Sequence, residues 1–188
     1  MQKTIGILDT ETGGFSTTKN GVCEIALLIV SEDLTEVVGE HTWLIKPYTR
    51  ADDTEELVSY KDDAMAVHGI KLEELEEKGL EVRAVCSGFL SVLKDNNVRS
   101  LMGHNVNAFD IPKVEHLTTR FLGKDLKKYA KICTLKLSRA HLEAKDFKLE
   151  TLCAEYKIEQ KEAHRALSDC YSTLEIARIL HEQNLLTS

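Results

Sequence analysis

The chain opens with an apolar run, Thr4 to Asp9, that ends in a carboxylate. A short apolar run bounded by polar residues predicts a buried strand. Val22 to Ser31 and Val37 to Lys46 predict two more, joined by a turn at Asp33 and Leu34. After an acidic segment that reads as a loop, the period of the pattern changes. Val82, Val85, Phe89, Val92 and Leu93 recur at the three-to-four spacing of an amphipathic helix, predicted over 81–93. A strand over Val98 to Gly103, a helix over Ile111 to Phe121, a strand over Tyr129 to Thr134 and helices over Leu149 to Tyr156 and Ala166 to Leu180 complete the reading. A strand meander followed by strand–helix units predicts an α/β fold, with a mixed sheet whose later strands run parallel to the first. A length of 188 residues without repeat, linker or low-complexity segment predicts one domain over 1–188.

Composition narrows the function classes. Hydrophobic residues make up 43% and charged residues 29%, with a net charge of −7. These are globular values, and the negative sign argues against binding nucleic acid through a broad basic surface. No apolar run approaches the roughly 20 residues of a membrane span, and MQKTIGILDT does not read as a signal peptide, so a cytoplasmic protein with no membrane partner is expected. Cys23, Cys86, Cys133, Cys153 and Cys170 show no C-x-x-C spacing and sit among apolar neighbours, which predicts buried, reduced thiols. Charge is uneven: Lys113 to Lys148 holds ten basic against four acidic residues, and Asp52 to Glu81 eleven acidic against three lysines. These are either two solvated faces or, for the basic stretch, the flank of a strand entering a site.

Candidate chemistry begins where the first strand ends. Asp9 and Glu11 stand two apart, so side-chain alternation points both to one face. Such a pair repels itself unless it is protonated, hydrogen-bonded or neutralised by a hard divalent cation. Gly13 and Gly14 follow, and allow a tight turn with amides near the acids. Farther on, Asn105 to Asp110 reads NVNAFD after the fourth strand, and His164 to Asp169 reads HRALSD at the start of the last helix. Strand ends and helix starts meet at the ligand-binding edge of open α/β sheets.

The set DTE at Asp9 to Glu11, N-x-x-x-F-D at Asn105 to Asp110 and H-x-x-x-x-D at His164 to Asp169 resembles the three motifs of the DnaQ-like DEDDh 3′→5′ exonucleases. VHGI at Val67 to Ile70, CTLKLSR at Cys133 to Arg139 and LETLC at Leu149 to Cys153 extend the likeness over about 3–181. HRALSDCY and CTLKLSR are most similar to exodeoxyribonuclease X and its phage-like relatives. In many members two residues separate the Asn and Phe of the second motif. Here Val106, Asn107 and Ala108 make three, which implies a shifted helix start with Asp110 still the matching acid. Arg165, where a tyrosine subclass would carry Tyr, favours the histidine subclass.

The resemblance implies a ribonuclease H-like mixed five-stranded sheet with helices packed on it. It implies two divalent cations, Mg²⁺ or Mn²⁺, among Asp9, Glu11, Asp110 and Asp169, with His164 as general base. It also implies contacts from Thr10, Thr12, Gly14, Phe15, His68, Asn105 and Phe109 to the 3′ end of single-stranded DNA. For Phe15 and Phe109 the alternative is core packing, and for His164 a surface histidine. RNA in place of DNA, a catalytically silent binding module, a polymerase or repair partner, and a monomer or homodimer all stay open at this point.

Overall fold

The structure is a computed structural model that describes residues 2–50, 56–160, 165–183 and 185. The strands are β1 (Thr4–Thr12), β2 (Val22–Ser31), β3 (Val37–Leu44), β4 (Val98–Gly103) and β5 (Ala130–Cys133). The helices among the described residues are α1 (Asp62–His68), α2 (Leu72–Lys78), α3 (Val82–Asp95), α4 (Asp110–Leu122), α5 (Thr134–His141), α6 (Leu149–Glu155) and α7 (Ala166–Glu182). The five strands form one sheet in the order β3-β2-β1-β4-β5. The meander β1, β2, β3 is antiparallel, and β4 and β5 join parallel to β1. This is the mixed, ribonuclease H-like sheet that the pattern and the motifs predicted.

Strand alternation sorts the apolar residues onto two layers. Leu8, Ile25, Leu27, Ile29 and Leu101 pack on α3 and α4 through Val85, Phe89, Val114 and Leu117. Ile5, Ile7, Ala26, Leu28 and Val30 face α7 through Ala166, Cys170, Leu174 and Ala177. With helices on both faces, β2 is buried along its whole length, which explains its unbroken apolar run. All five cysteines are free and buried, as expected. No described helix is long and apolar enough to cross a membrane.

Three differences from the sequence reading bear on the site. β1 extends three residues past Asp9 and so carries Glu11 within the strand. The acidic segment, where described, is not one loop but contains α1 and α2, each too short for a period to be legible. The CTLKLSR stretch ends β5 at Cys133 and opens a helix at Thr134.

Candidate active site

The sheet opens a cleft because β1 outruns its parallel neighbour. β1 pairs with β4 only as far as Ile7 opposite Met102, while its pairing to β2 continues to Thr12 opposite Val22. Beyond Ile7, one edge of β1 lacks a strand. The chain leaves β4 at Gly103, turns at Asn105 in the left-handed region (φ 70°), and enters α4 at Asp110. The extra residue of the second motif is absorbed in this turn, where the Asn105 carbonyl accepts the amides of both Ala108 and Phe109. The helix therefore starts at the matching acid.

Alternation then decides which acids meet. Asp9 and Glu11 share the face of Ile5 and Ile7, the α7 side, and Asp169 arrives there in the first turn of α7. Carboxylate oxygens of these three lie within 4.8 Å of one another. Asp110 comes from α4 on the opposite face, is buried, and accepts a 2.7 Å hydrogen bond from the Thr10 hydroxyl. Thr10 is thus a lever between the two faces. An all-oxygen set of this kind suits a hard divalent cation.

The acids are held against their preference. Burial, joined by Asp110, Asp169, Glu11 and Glu24, keeps Asp9 well above the usual carboxylate range. Burial, with Asp169 and Glu24, raises Glu11 to about 8, against a downward pull from Arg165. Burial raises Asp110 to about 7, opposed by the Thr10 hydrogen bond and by Lys113. Crowded carboxylates in a poorly solvated site either keep protons or take up a cation.

Glu24, which the motifs did not supply, organises this wall together with Arg165 of the third motif. Glu24 sits directly opposite Glu11 on β2 and is buried. Its carboxylate accepts the Ala166 amide at 3.2 Å and pairs with the Arg165 guanidinium at 2.8 Å. No side chain of α7's own N-cap residue caps the helix, so an acid from another element satisfies its first amide. The signal was present as one charged residue in the apolar run VCEIALLIVS, since a charge in a buried strand must find a partner. His164 lies outside the described residues, immediately before this anchored Arg165.

Beside the acids the cleft is partly aromatic, and of the four acids Glu11 lines it. Its cavity of about 340 Å³ is lined in part by Thr10, Glu11, Thr12, Gly14, Phe15, His68 and Phe109. Six of the seven residues expected to contact substrate are therefore brought together. Asn105 is not among the lining residues and serves the turn before α4. Phe15 is 84% exposed, which excludes core packing for it, and meets the half-buried Phe109 edge-on with centroids 6.1 Å apart. His68 is buried, accepts the Ile70 amide on Nδ1, and is held below the ordinary imidazole value by that burial. Lys61 and Asp63, from the segment first read as a loop, also line the cleft.

The loop that carries Phe15 is tied at several points. The Gly13 amide donates to Gly21, the Gly13 carbonyl accepts from Lys61, and the Asn20 side chain accepts the Ser16 amide. Gly14 has φ +143°, and a Cβ there would stand 2.6 Å from the Asn20 side chain, so this turn requires glycine. Lys113, the first cation of the locally basic stretch, is 1% exposed beneath the loop.

The profile of the RNase T exonuclease family matches residues 7–177, and the chain belongs to that family, as the three motifs implied. The chain is 31% identical over 169 residues to a PolC-type DNA polymerase III from Lacticaseibacillus paracasei, covering 89% of this chain and 10% of the polymerase. Among solved structures, E. coli exonuclease I in complex with a dT13 oligonucleotide superposes with a TM-score of 0.82 at 22% identity, covering 95% of this chain and 41% of that one. The zinc-bound form of the E. coli exonuclease I complex with single-stranded DNA gives 0.82 at 20% identity, covering 97% and 41%. This chain thus spans about a tenth of the polymerase and two fifths of exonuclease I.

Proposed function

We propose that the chain is a metal-dependent 3′→5′ exonuclease that hydrolyses single-stranded DNA ends to nucleoside 5′-monophosphates. The observation that carries this reading is the convergence of Asp9, Glu11 and Asp169 within 4.8 Å, beside Asp110, with Glu11 lining the same cavity as an exposed Phe15. In this reading the four acids hold two Mg²⁺ or Mn²⁺ ions. When bound, the ions supply charge stabilisation at the attacking and leaving oxygens and ease deprotonation of the attacking water. His164 takes that proton, a role suited to an imidazole near neutral pH. Glu24, through Arg165 and the first amide of α7, fixes both Asp169 and the chain leaving His164.

The aromatic wall orients the end of the strand. Phe15 and Phe109 offer ring faces and edges to terminal bases, a mode of holding that tolerates any base. Thr10, Thr12, Gly14 and His68 line the terminal nucleotide, and Asn105 sets the turn that delivers Phe109 and Asp110. The net charge of −7 agrees with a grip limited to the last few nucleotides. Support for DNA comes from exonuclease I, whose similar fold is seen with single-stranded DNA. The likeness to one part of a polymerase supports a unit that can work beside a polymerase partner.

The test is side-by-side digestion of end-labelled single-stranded DNA, duplex DNA and RNA in Mg²⁺. The expected result is early release of a 3′ label as mononucleotide from single-stranded DNA, with a 5′ label retained in a shortening ladder. Faster digestion of RNA would move the assignment to an exoribonuclease, and retention of all labels would move it to a binding module.

A further inference from the structure

We infer that Lys113 is a positioning residue that holds the Phe15 loop in its base-stacking conformation, and does not touch the strand itself. This rests on the single-strand reading above and deepens it. The ammonium donates to the carbonyls of Gly14 at 2.8 Å, Phe15 at 3.3 Å and Ser16 at 3.5 Å, one acceptor for each of its three hydrogens. It also stands 4.8 Å from the centre of the Phe109 ring. At 1% exposure it cannot meet a phosphate, whereas Lys61 at the cleft is exposed and can.

The arrangement solves a specific problem. A loop that leaves a large aromatic ring 84% exposed gains no burial energy from that ring to fix its backbone. Three successive carbonyls turned toward one point instead take a buried cation, and a buried cation requires such partners. Lys113 is one turn along α4 from Asp110 and near Phe109, so one helix start sets an acid, one ring beneath the cleft and the backbone of the other ring. Burial pulls the Lys113 ammonium down to about 8, with Asp110 opposing, which agrees with a charge kept by its partners and not by water.

The experiment is a double-mutant cycle of Lys113→Met and Phe15→Ala. It is read by the affinity for a single-stranded DNA carrying 2-aminopurine at its 3′ end, with catalysis blocked by chelation. Phe15→Ala is expected to weaken binding by about 5- to 150-fold, the loss of one stacked base. Lys113→Met is expected to weaken it by about 10-fold in the wild-type background and by less than about 2-fold in the Phe15→Ala background. Both should reduce the quenching of the terminal base on binding and leave the salt slope unchanged. Lys61→Met, by contrast, should make the slope shallower by about 0.7, the share of one phosphate contact. Should Lys113→Met not fold, Lys113→Gln, which keeps a donor for one carbonyl, carries the same cycle.

Additive losses, a slope changed by about 0.7 in Lys113→Met, or full affinity in that variant would each overturn the inference. So would a loss of Mn²⁺ affinity in Lys113→Met with normal quenching of the terminal base, which would place its role at Asp110. Absence of strand binding by the wild-type protein would instead defeat the reading of the site as a whole.

Discussion

On one side of the cleft, strand alternation and the docking of α7 press Asp9, Glu11 and Asp169 together, so that Asp169 opposes the ionisation of both Asp9 and Glu11. On the other side, the loop around Phe15 is held through the Gly13 and Ser16 amides and the carbonyls of Gly13 to Ser16 by Gly21, Lys61, Asn20 and Lys113. The carboxylate wall keeps protons or takes up a cation, whereas the Phe15 loop is held by hydrogen bonds within the chain. The difference separates chemistry from holding. Changes on the first wall should alter rate and metal affinity, and changes on the second should alter strand affinity.

The largest effect is expected from removing one acid. Asp9→Asn or Asp169→Asn should lower turnover by about 10³-fold or more, the several kcal/mol of transition-state charge stabilisation lost with a metal site. The melting temperature of either variant without metal should not fall, because the change relieves repulsion. Near wild-type turnover of either purified variant in Mg²⁺ would remove the carboxylate wall from the chemistry. His164→Ala comes next, with a rate lower by about 10² to 10⁴ and strand binding largely kept. A loss of affinity with an unchanged single-turnover rate would reassign His164 to the holding side.

Phe15→Ala probes the second wall. It should cost about 1 to 3 kcal/mol of strand affinity, and stability should shift by less than about 0.5 kcal/mol because the ring is exposed. A variant that binds and cuts normally would show that the strand is held elsewhere.

The smallest effect concerns pH. Glu11, raised to about 8, and Asp110, raised to about 7, keep protons in the folded chain that the unfolded chain releases from about pH 4 upward. The folded state then binds more protons, so the contribution of these groups to stability falls as pH rises from about 4 to about 8. Differential scanning in chelator should show the melting temperature declining across that window. Mn²⁺ should raise it more at pH 8 than at pH 5.5, because the metal competes with those protons. An equal Mn²⁺ effect at both pH values would contradict the account of the cluster.

The two walls were not equally legible in the sequence. Asp9, Glu11, Asp110 and Asp169 could be found because strand alternation and three spaced motifs mark them, and the strands and long helices follow from apolar period. Glu24 and Lys113 were missed because their partners are far along the chain. Glu24 meets Arg165 and Ala166 across 141 and 142 positions, and Lys113 meets Gly14 across 99. A buried charge announces that it needs a partner but not which one. α1 and α2 were read as loop because seven residues, with the apolar positions consecutive in α1 and only two in α2, set no period. Lys113 was counted with the basic stretch 113–148 because charge counting along the chain is blind to burial.

Calorimetric titration of Mn²⁺ into the wild-type protein, Asp169→Asn and Phe15→Ala tests the division between the walls most directly. The account predicts binding to the wild type with release of protons, loss or strong weakening of binding in Asp169→Asn, and wild-type binding in Phe15→Ala. Mn²⁺ binding that persists unchanged in Asp169→Asn, or disappears in Phe15→Ala, would contradict it.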